Sequence, residues 1–388
     1  MKGLRTYKLK ITSKHTKFAI FSSSYKEAAN WLSSIIYKRK VIDNPNHLSK
    51  EFYGTVREKF NLPSQLTCSL FRHIISTYRS MKSNGEWNLA IYKNTSIPLC
   101  WKRDFNIRKK GLSIWGELIS FQSGKLPTGK WCDSKLKYDK RQWWLCLSIE
   151  ITQAEPKTIG GIIGVDRGQK NILCAIDPKS NKTLYVRGGE LNHRRLCIRQ
   201  TRAKVTSVGT RSAKRLLKRL SGREKAITQN ILHVASKRLI AFVEEVGAKT
   251  IVFEDLTGFK HKQTKYNTEL HHKQRASNNR WPYALLELFV SYKAKFVGIG
   301  IDHVSARNTS RGCPCCGHVN KSNRNGLVFR CISCNHQDNA DRIGASNVAL
   351  RLLLQRQVVG ERAVCQSAYS SSEDDRISEL QAMNSHGN

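Results

Sequence analysis

Two Cys-x-x-Cys pairs, Cys313/Cys316 and Cys331/Cys334, are separated by 14 residues and constrain this chain more than any other feature. Each pair makes a tight turn whose two thiolates can converge on one tetrahedral ion at about 2.3 Å. Together they close a four-sulfur Zn2+ site with no open position, which stabilises a loop module and leaves no place for catalysis. Cys315 falls between two ligands, so the run CPCC leaves a choice of register, and His318 and His336 stand near enough to compete. The other seven of the twelve cysteines, at 68, 100, 132, 146, 174, 197 and 365, are scattered singly and read as small buried apolar groups.

The sequence around the cysteines has a definite order of elements. GIIGVD (161–166), NILCAID (171–177) and KTLYVRG (182–188) are three short strands at hairpin spacing. A long basic helical region spans 190–246, and AKTIVFED (248–255) is a near-continuous apolar run ending in two acids, the pattern of a buried strand. A helix (281–296), a strand (297–304), the cysteine module and a last helix (341–357) follow. Strand, strand, strand, helix, strand, helix, strand, helix is the order of the ribonuclease H-like fold.

Ahead of a QAEPK linker, the first half reads differently. RTYKLKIT (5–12) alternates like a strand, and helical periodicity runs through 24–40, 48–61 and 62–80. WNLAIYK (87–93), SIPLCWKRDFNIR (96–108), LSIWGELISFQ (112–122), GKLPTGKW (124–131) and RQWWLCLSIEI (141–151) then read as strands. The expectation is a small β-barrel interrupted after its first strand by helices. Trp101, Trp115, Trp131, Trp143 and Trp144 stand among lysines and arginines and would suit base stacking, although inward packing in the barrel has the larger claim on any one of them.

Charge narrows the partner. Against 29 Asp+Glu the chain has 67 Lys+Arg, a formal net charge of +38. Such an excess attracts polyanions and speaks against small neutral substrates. Hydrophobic content of 39% is enough for a core, so this is no disordered basic tail. The densest run, 194–225, holds twelve Lys/Arg against Glu224 alone. Arg194, Arg195, Arg199, Arg202, Lys204, Arg211, Lys214, Arg215, Lys218 and Arg219 are therefore the expected nucleic-acid contacts. No stretch of ~20 apolar residues and no signal-peptide core is present, so no membrane partner is expected and the prokaryotic cytosol, in association with the nucleoid, is the expected location. The Ser-rich, slightly acidic end is expected to be a mobile tail.

Three acids carry the chemistry. Asp166 ends an apolar strand, Glu254 ends TIVFE beside Asp255, and Asp341 opens the last helix. Singly, they read as a turn residue, a strand end and a helix cap. In a ribonuclease H-like fold, however, the first strand, the fourth strand and the last helix meet at one edge. Three carboxylates there can hold two Mg2+ or Mn2+ ions about 3.5–4 Å apart for hydrolysis of a phosphodiester.

These residues also carry a resemblance. GIIGVDRGQKNILCAID resembles the first RuvC motif of the TnpB family of transposon-encoded nucleases and of the related compact type V CRISPR effectors, and IVFEDLTGF resembles the second. The stretch TSRGCPCCGHVNKSNRNGLVFRCISCNHQDNADRIGASNVA is similar to the family's zinc ribbon leading into the third motif, where Asn347-Val348 places the acid at Asp341, not Asp338. The likeness extends to AITQNILHVASKRLIAFV and YKAKFVGIGIDHV; it is specific over roughly 160–350 and architectural before that.

The resemblance implies an α+β multidomain protein. Its parts would be a wedge β-barrel (first strand 1–18, remainder 85–158), a helical recognition insert (19–84), a RuvC nuclease domain (159–307 with the last helix 339–356), a zinc ribbon insertion (308–338) and a flexible tail (357–388). It implies an RNA-guided DNA endonuclease that binds a guide RNA and cleaves complementary double-stranded DNA beside a short motif, by a two-metal RuvC mechanism. Whether one copy or two act on the RNA stays open. A DDE-type transposase is the alternative enzyme, and a guided repressor that has lost its acids the alternative binder. The ribbon between last strand and last helix counts against the first, and the three acids present count against the second.

Overall fold

A computed structural model describes residues 2–357, except 14, 43, 94–95, 109–110, 123–125, 140 and 257–280. The expected tail beyond 357, with Cys365, lies outside the described residues. By its contacts the chain divides into two units, Met1–Thr152 and Gln153–Asn388, so the first ends within the segment 85–158 expected as barrel.

The first unit runs β1 (Lys2–Lys10), α1 (Thr16–Arg39), α2 (Pro45–Phe60), α3 (Ser64–Ser83), β2 (Ile97–Leu99), β3 (Phe105–Arg108), β4 (Gly111–Ile114), β5 (Glu117–Leu118), β6 (Lys130–Asp139) and β7 (Gln142–Thr152). Helix α1 thus begins inside the 1–18 segment expected as strand. α2 starts where Asn44 accepts from the Asn46 N–H and Pro45 occupies the first turn. α3 buries Leu66, Leu70, Ile74 and Tyr78, a stripe at four-residue spacing. β1 pairs antiparallel with β7 along its whole length, so the first strand of the unit meets its last, in a sheet of order β1-β7-β6-β2. β3, β4 and β5 form a second antiparallel sheet.

Four of the expected strand segments differ in the structure: 96–108 divides into β2 and β3, which belong to different sheets, and 112–122 into the paired β4 and β5. Residues 87–93 form no strand because helix side chains take the partner's part: Asn30 exchanges two hydrogen bonds with the Tyr92 backbone, and Ser33 and Tyr78 bond the Ala90 carbonyl and N–H. Of the expected strand 124–131, residues 124–125 lie outside the described residues and 126–129 are not strand; β6 begins at Lys130 and continues to Asp139, its alternation hidden by a register shift between Cys132 and Lys135.

The scattered cysteines also depart from expectation. Of the six described, only Cys174 is buried; Cys68, Cys100, Cys132 and Cys146 are intermediate and Cys197 is exposed. Cys146 stands in register with Lys8 and Lys135 on a lysine-bearing sheet face, which is why it is not core.

The second unit begins with β8 (Ile162–Asp166), β9 (Asn171–Ile176) and β10 (Thr183–Arg187), an antiparallel meander. Next come α4 (Gly189–Val208), α5 (Arg211–Leu220), α6 (Arg223–Glu245), β11 (Thr250–Asp255), α7 (Tyr283–Phe296) and β12 (Gly300–Ser305). A short 3-10 turn (Lys321–Asn323) and three small strands, β13 (Arg324–Asn325), β14 (Val328–Arg330) and β15 (Gln337–Asn339), precede α8 (340–357). The main sheet has the order β10-β9-β8-β11-β12, with β11 parallel to both β8 and β12.

Strand alternation divides this sheet between two helical layers. Ile163, Val165, Ile251 and Phe253 pack with Leu232, Leu239, Leu286 and Val290 of α6 and α7. Ile162, Val252 and Val304 pack with Val348, Ala349 and Leu352 of α8. α8 comes so close to β8 that a Cβ on Gly164 would stand 2.0 Å from the Ala345 carbonyl oxygen, so only glycine fits. Among the described residues no helix is long and apolar enough to cross a membrane.

Candidate functional site

The alternation that sends Ile162 and Gly164 toward α8 also puts Asp166 on that face, and Val252 does the same for Glu254. Val165 and Phe253 are neighbours on parallel strands, so the two carboxylates leave adjacent strand ends side by side. Asp341 joins them from the first turn of α8 and is 6% exposed. Burial, then the charges of Glu254 and Asp341, hold the Asp166 carboxyl well above the usual range. Burial raises Glu254 as well, opposed by the Thr309 hydrogen bond and by Arg167 and Arg324. The structure thus brings together all three acids expected from the sequence. Asp255 is exposed, and Asp338 is taken up in an ion pair with Arg342. Nor is Asp341 the cap of its helix: Asn339 Oδ1 accepts from the Asp341 N–H at 3.0 Å.

Several residues that sequence reasoning missed hold this cluster. Asn171, across the β8–β9 turn, donates to Asp341 Oδ2 at 2.9 Å. The Thr309 hydroxyl donates to Glu254 Oε1. Arg324, from β13, lies 3.1 Å from Asp341 Oδ1. Arg167, its side chain 1% exposed, donates at 2.6 Å both to the Glu254 carbonyl oxygen and to Glu287 Oε2, and its guanidinium stands 4.7 Å from the Phe253 ring centroid. Glu287 in turn meets His303 at 2.7 Å. A basic residue directly after Asp166 is the one faint sign of Arg167 in the sequence; the others reach the cluster through tertiary contacts that leave no spacing to read.

The four cysteines converge as the knuckle spacing predicts, all their sulfurs within 4.8 Å of one another. Cys313 and Cys334 are 3.6 Å apart and Cys316 and Cys331 3.5 Å, close to the edge of about 3.8 Å that a tetrahedron with 2.3 Å arms requires. The two knuckles repeat one backbone pattern. Cys313 N–H donates to the His318 carbonyl and Gly317 N–H to that of Cys313; Cys331, His336 and Asn335 do the same. Gly317 and Asn335 both take positive φ, 74° and 56°. Cys315 is exposed and its sulfur is not one of the four that converge, and the histidines enter through their backbone carbonyls. Asn347 ties this module to α8 by donating to the carbonyls of Thr309 and Gly312 at 2.7 and 2.8 Å.

The basic run separates into two kinds of residue. Arg195 is buried, with Nε 3.0 Å from Glu224 Oε1, and Arg199 meets the same oxygen at 3.1 Å. Against the upward push of burial, these two arginines hold the Glu224 carboxyl below its usual range. Arg195 therefore braces α4 against α6, a correction to its expected place among phosphate contacts. Arg194 pairs with Glu190 along its own helix. Arg202, Lys204, Arg211, Lys214, Arg215, Lys218 and Arg219 are all exposed, and in α5 only Ala213 is buried.

Comparison with known proteins adds ancestry to this geometry. Residues 283–348, from α7 through the cysteine module into α8, match the model of the Cas12f1-like TNB domain. Over 226 residues the chain is 30% identical to a TnpB-like protein of Methanocaldococcus jannaschii, a match covering 55% of this chain and 77% of the relative. Over 231 residues it is 26% identical to a CRISPR-associated endodeoxyribonuclease Cas12f1 of an uncultured archaeon, covering 54% of this chain but 42% of that one. The chain therefore spans less than half of that relative. Among solved structures, a cryo-EM Cas12f1–sgRNA–target DNA complex aligns with a TM-score of 0.57 at 18% identity, over 86% of this chain and 82% of the other. That is a likeness of α+β fold.

Proposed function

This chain belongs to the TnpB-like family, and on that premise we propose that it is an RNA-guided DNA endonuclease. It binds a guide RNA, opens double-stranded DNA beside a short adjacent motif, and hydrolyses phosphodiesters at Asp166, Glu254 and Asp341. In this reading the sheet β10-β9-β8-β11-β12 with α8 is the RuvC domain (159–307 and 339–356), and 308–338 is a zinc ribbon. The first unit, Met1–Thr152, holds the first strand of the wedge barrel (1–18), its helical recognition insert (19–84) and most of the barrel's remainder (85–158).

The donor sets fit the metals this function needs. Four converging thiolates suit Zn2+. Three carboxylates, two of them held above their ordinary pKa by burial, suit hard divalent cations such as Mg2+ or Mn2+, whose charge relieves the repulsion. Bound there, the divalent ions would supply Lewis-acid stabilisation of the charge that develops on the phosphate. The protein's own part is orientation. Asn171 and Thr309 each fix a carboxylate oxygen by donating to it. Arg167 anchors the end of β11 through the Glu254 carbonyl. Arg324 offsets charge at Asp341.

Recognition of sequence is left to base pairing, with exposed cations such as Arg202, Lys204, Arg211 and Lys214 on the phosphate backbone. The observation that carries the proposal is the convergence of the three acids on one face, each on a different element. Sequencing RNA that co-purifies with the chain, then programming it against a plasmid, tests it. Asp166→Ala, Glu254→Ala and Asp341→Ala should each lower cleavage roughly a thousandfold or more while guide and target binding persist. Full cleavage by any one of them removes that residue from the site, and absence of a co-purifying RNA removes the guided reading.

A further inference from the structure

Seven of the eight tryptophans pack into the two larger cores, and Trp144 does not. On β7 its neighbour Leu145 turns inward to the core, so Trp144 lies on the opposite face of the sheet. In its own rung it is flanked by Lys10 of β1 and Lys137 of β6; one rung along, Lys8 and Lys135 flank Cys146. From ordinary strand spacing and rise, the four lysines mark the corners of a patch about 7 Å by 10 Å. The Lys8 ammonium stands 4.4 Å from the Trp144 ring centroid.

Among the described residues no acid is paired with this patch, although Asp133 lines the same cavity as Lys135. Among the described residues none of the four lysines makes an ion pair, even with Asp139 one rung beyond. Glu150, on the same face, is already engaged by Lys2 at 3.2 Å and Lys130 at 3.4 Å. Like charges gathered on one sheet face destabilise it, and a large aromatic left out of the core contributes little to folding. One class of ligand relieves both costs: a flexible polyanion that carries flat aromatic groups.

We infer that this face of the first unit binds single-stranded nucleic acid, with one base stacked on Trp144 in place of the Lys8 ammonium and neighbouring phosphates on Lys8, Lys10, Lys135 and Lys137. An open sheet with an aromatic platform and cations around it is suited to unpaired strands, whose bases are free to stack. A duplex can use the lysines alone. The inference is read by binding, so it stands or falls apart from the cleavage assignment.

The test uses the full chain, a fluorescein-labelled oligouridine of twelve nucleotides and a labelled twelve-base-pair duplex, with anisotropy titrations over a range of salt. Trp144→Ala should weaken the single strand about tenfold and leave the duplex unchanged, with Trp144→Phe close to the parent. Replacing Lys8, Lys10, Lys135 and Lys137 by Gln should flatten the single-strand salt slope by about three. Replacing Lys38, Lys40, Lys50 and Lys82 by Gln, an equal loss of charge elsewhere, should do less. The inference is overturned if Trp144→Ala leaves single-strand affinity unchanged, if it weakens duplex equally, or if the two lysine sets behave alike.

Discussion

Asp166 is a carboxylate in a place that disfavours its charge. It is buried against Gly344 of α8, whose added Cβ would meet the carboxylate at 3.2 Å, and it faces two more acids. A carboxyl raised in the folded state holds a proton that the unfolded chain has already released. Between the ordinary carboxylate pKa and the raised one, the folded state therefore binds more protons, and stability falls as pH rises through that window. In chelator, the metal-free protein should lose melting temperature from about pH 4.5 upward until Asp166 is ionised, then level off. Asp166→Asn should abolish most of that slope and raise the melting temperature at neutral pH by roughly 2–8 °C, and on the proposed function it should also end cleavage. A calorimetric pH series checks this, and an unchanged slope in the variant would place the strain elsewhere. Arg167 shows the complementary case. Its guanidinium is engaged by the Glu287 carboxylate, the Glu254 carbonyl and the Phe253 ring, so it serves geometry at the strand end rather than contact with a phosphate.

The elements that carry the acids are legible in the sequence because they are buried on both faces: β8 and β11 show as continuous apolar runs, and an acid ending such a run is conspicuous. β6 is not, since its register shift breaks the alternation that marks a strand. Residues 87–93 mislead for the opposite reason, having strand composition while Asn30, Ser33 and Tyr78 satisfy their backbone. The cysteine module is legible from spacing alone, but its tie to the site is not. Asn347 bonds two carbonyls of the module, and Arg324 reaches from it to Asp341, so the ribbon and the start of α8 are one mechanical piece. Cys331→Ser should thus reduce bound zinc from about one equivalent toward none and suppress cleavage even in excess Mg2+. Cys315→Ser should keep both. Metal analysis of the two purified variants decides the register, and zinc loss in Cys315→Ser would reverse it.

At the scale of the whole molecule, an excess of +38 has to be divided between cations that hold the fold and cations left for a partner. Glu224 engages Arg195 and Arg199, Glu190 engages Arg194, and Glu287 engages Arg167, so these cations already have their counter-charge inside the protein. α5 is different: Arg211, Lys214, Arg215, Lys218 and Arg219 lie on a ten-residue helix that buries only Ala213. A helix so charged repels itself, and the repulsion is offset when phosphates lie along it. Replacing those five by Gln should leave the melting temperature unchanged or slightly higher. The same change should flatten the salt slope of duplex binding by up to about 4.5, roughly 0.9 for each phosphate no longer neutralised. Arg195→Gln should do the reverse, lowering the melting temperature with little change in slope. Titrations of both variants between about 50 and 200 mM salt separate the two roles. Equal slopes in the parent and the five-fold variant would return α5 to the status of a solvated helix face.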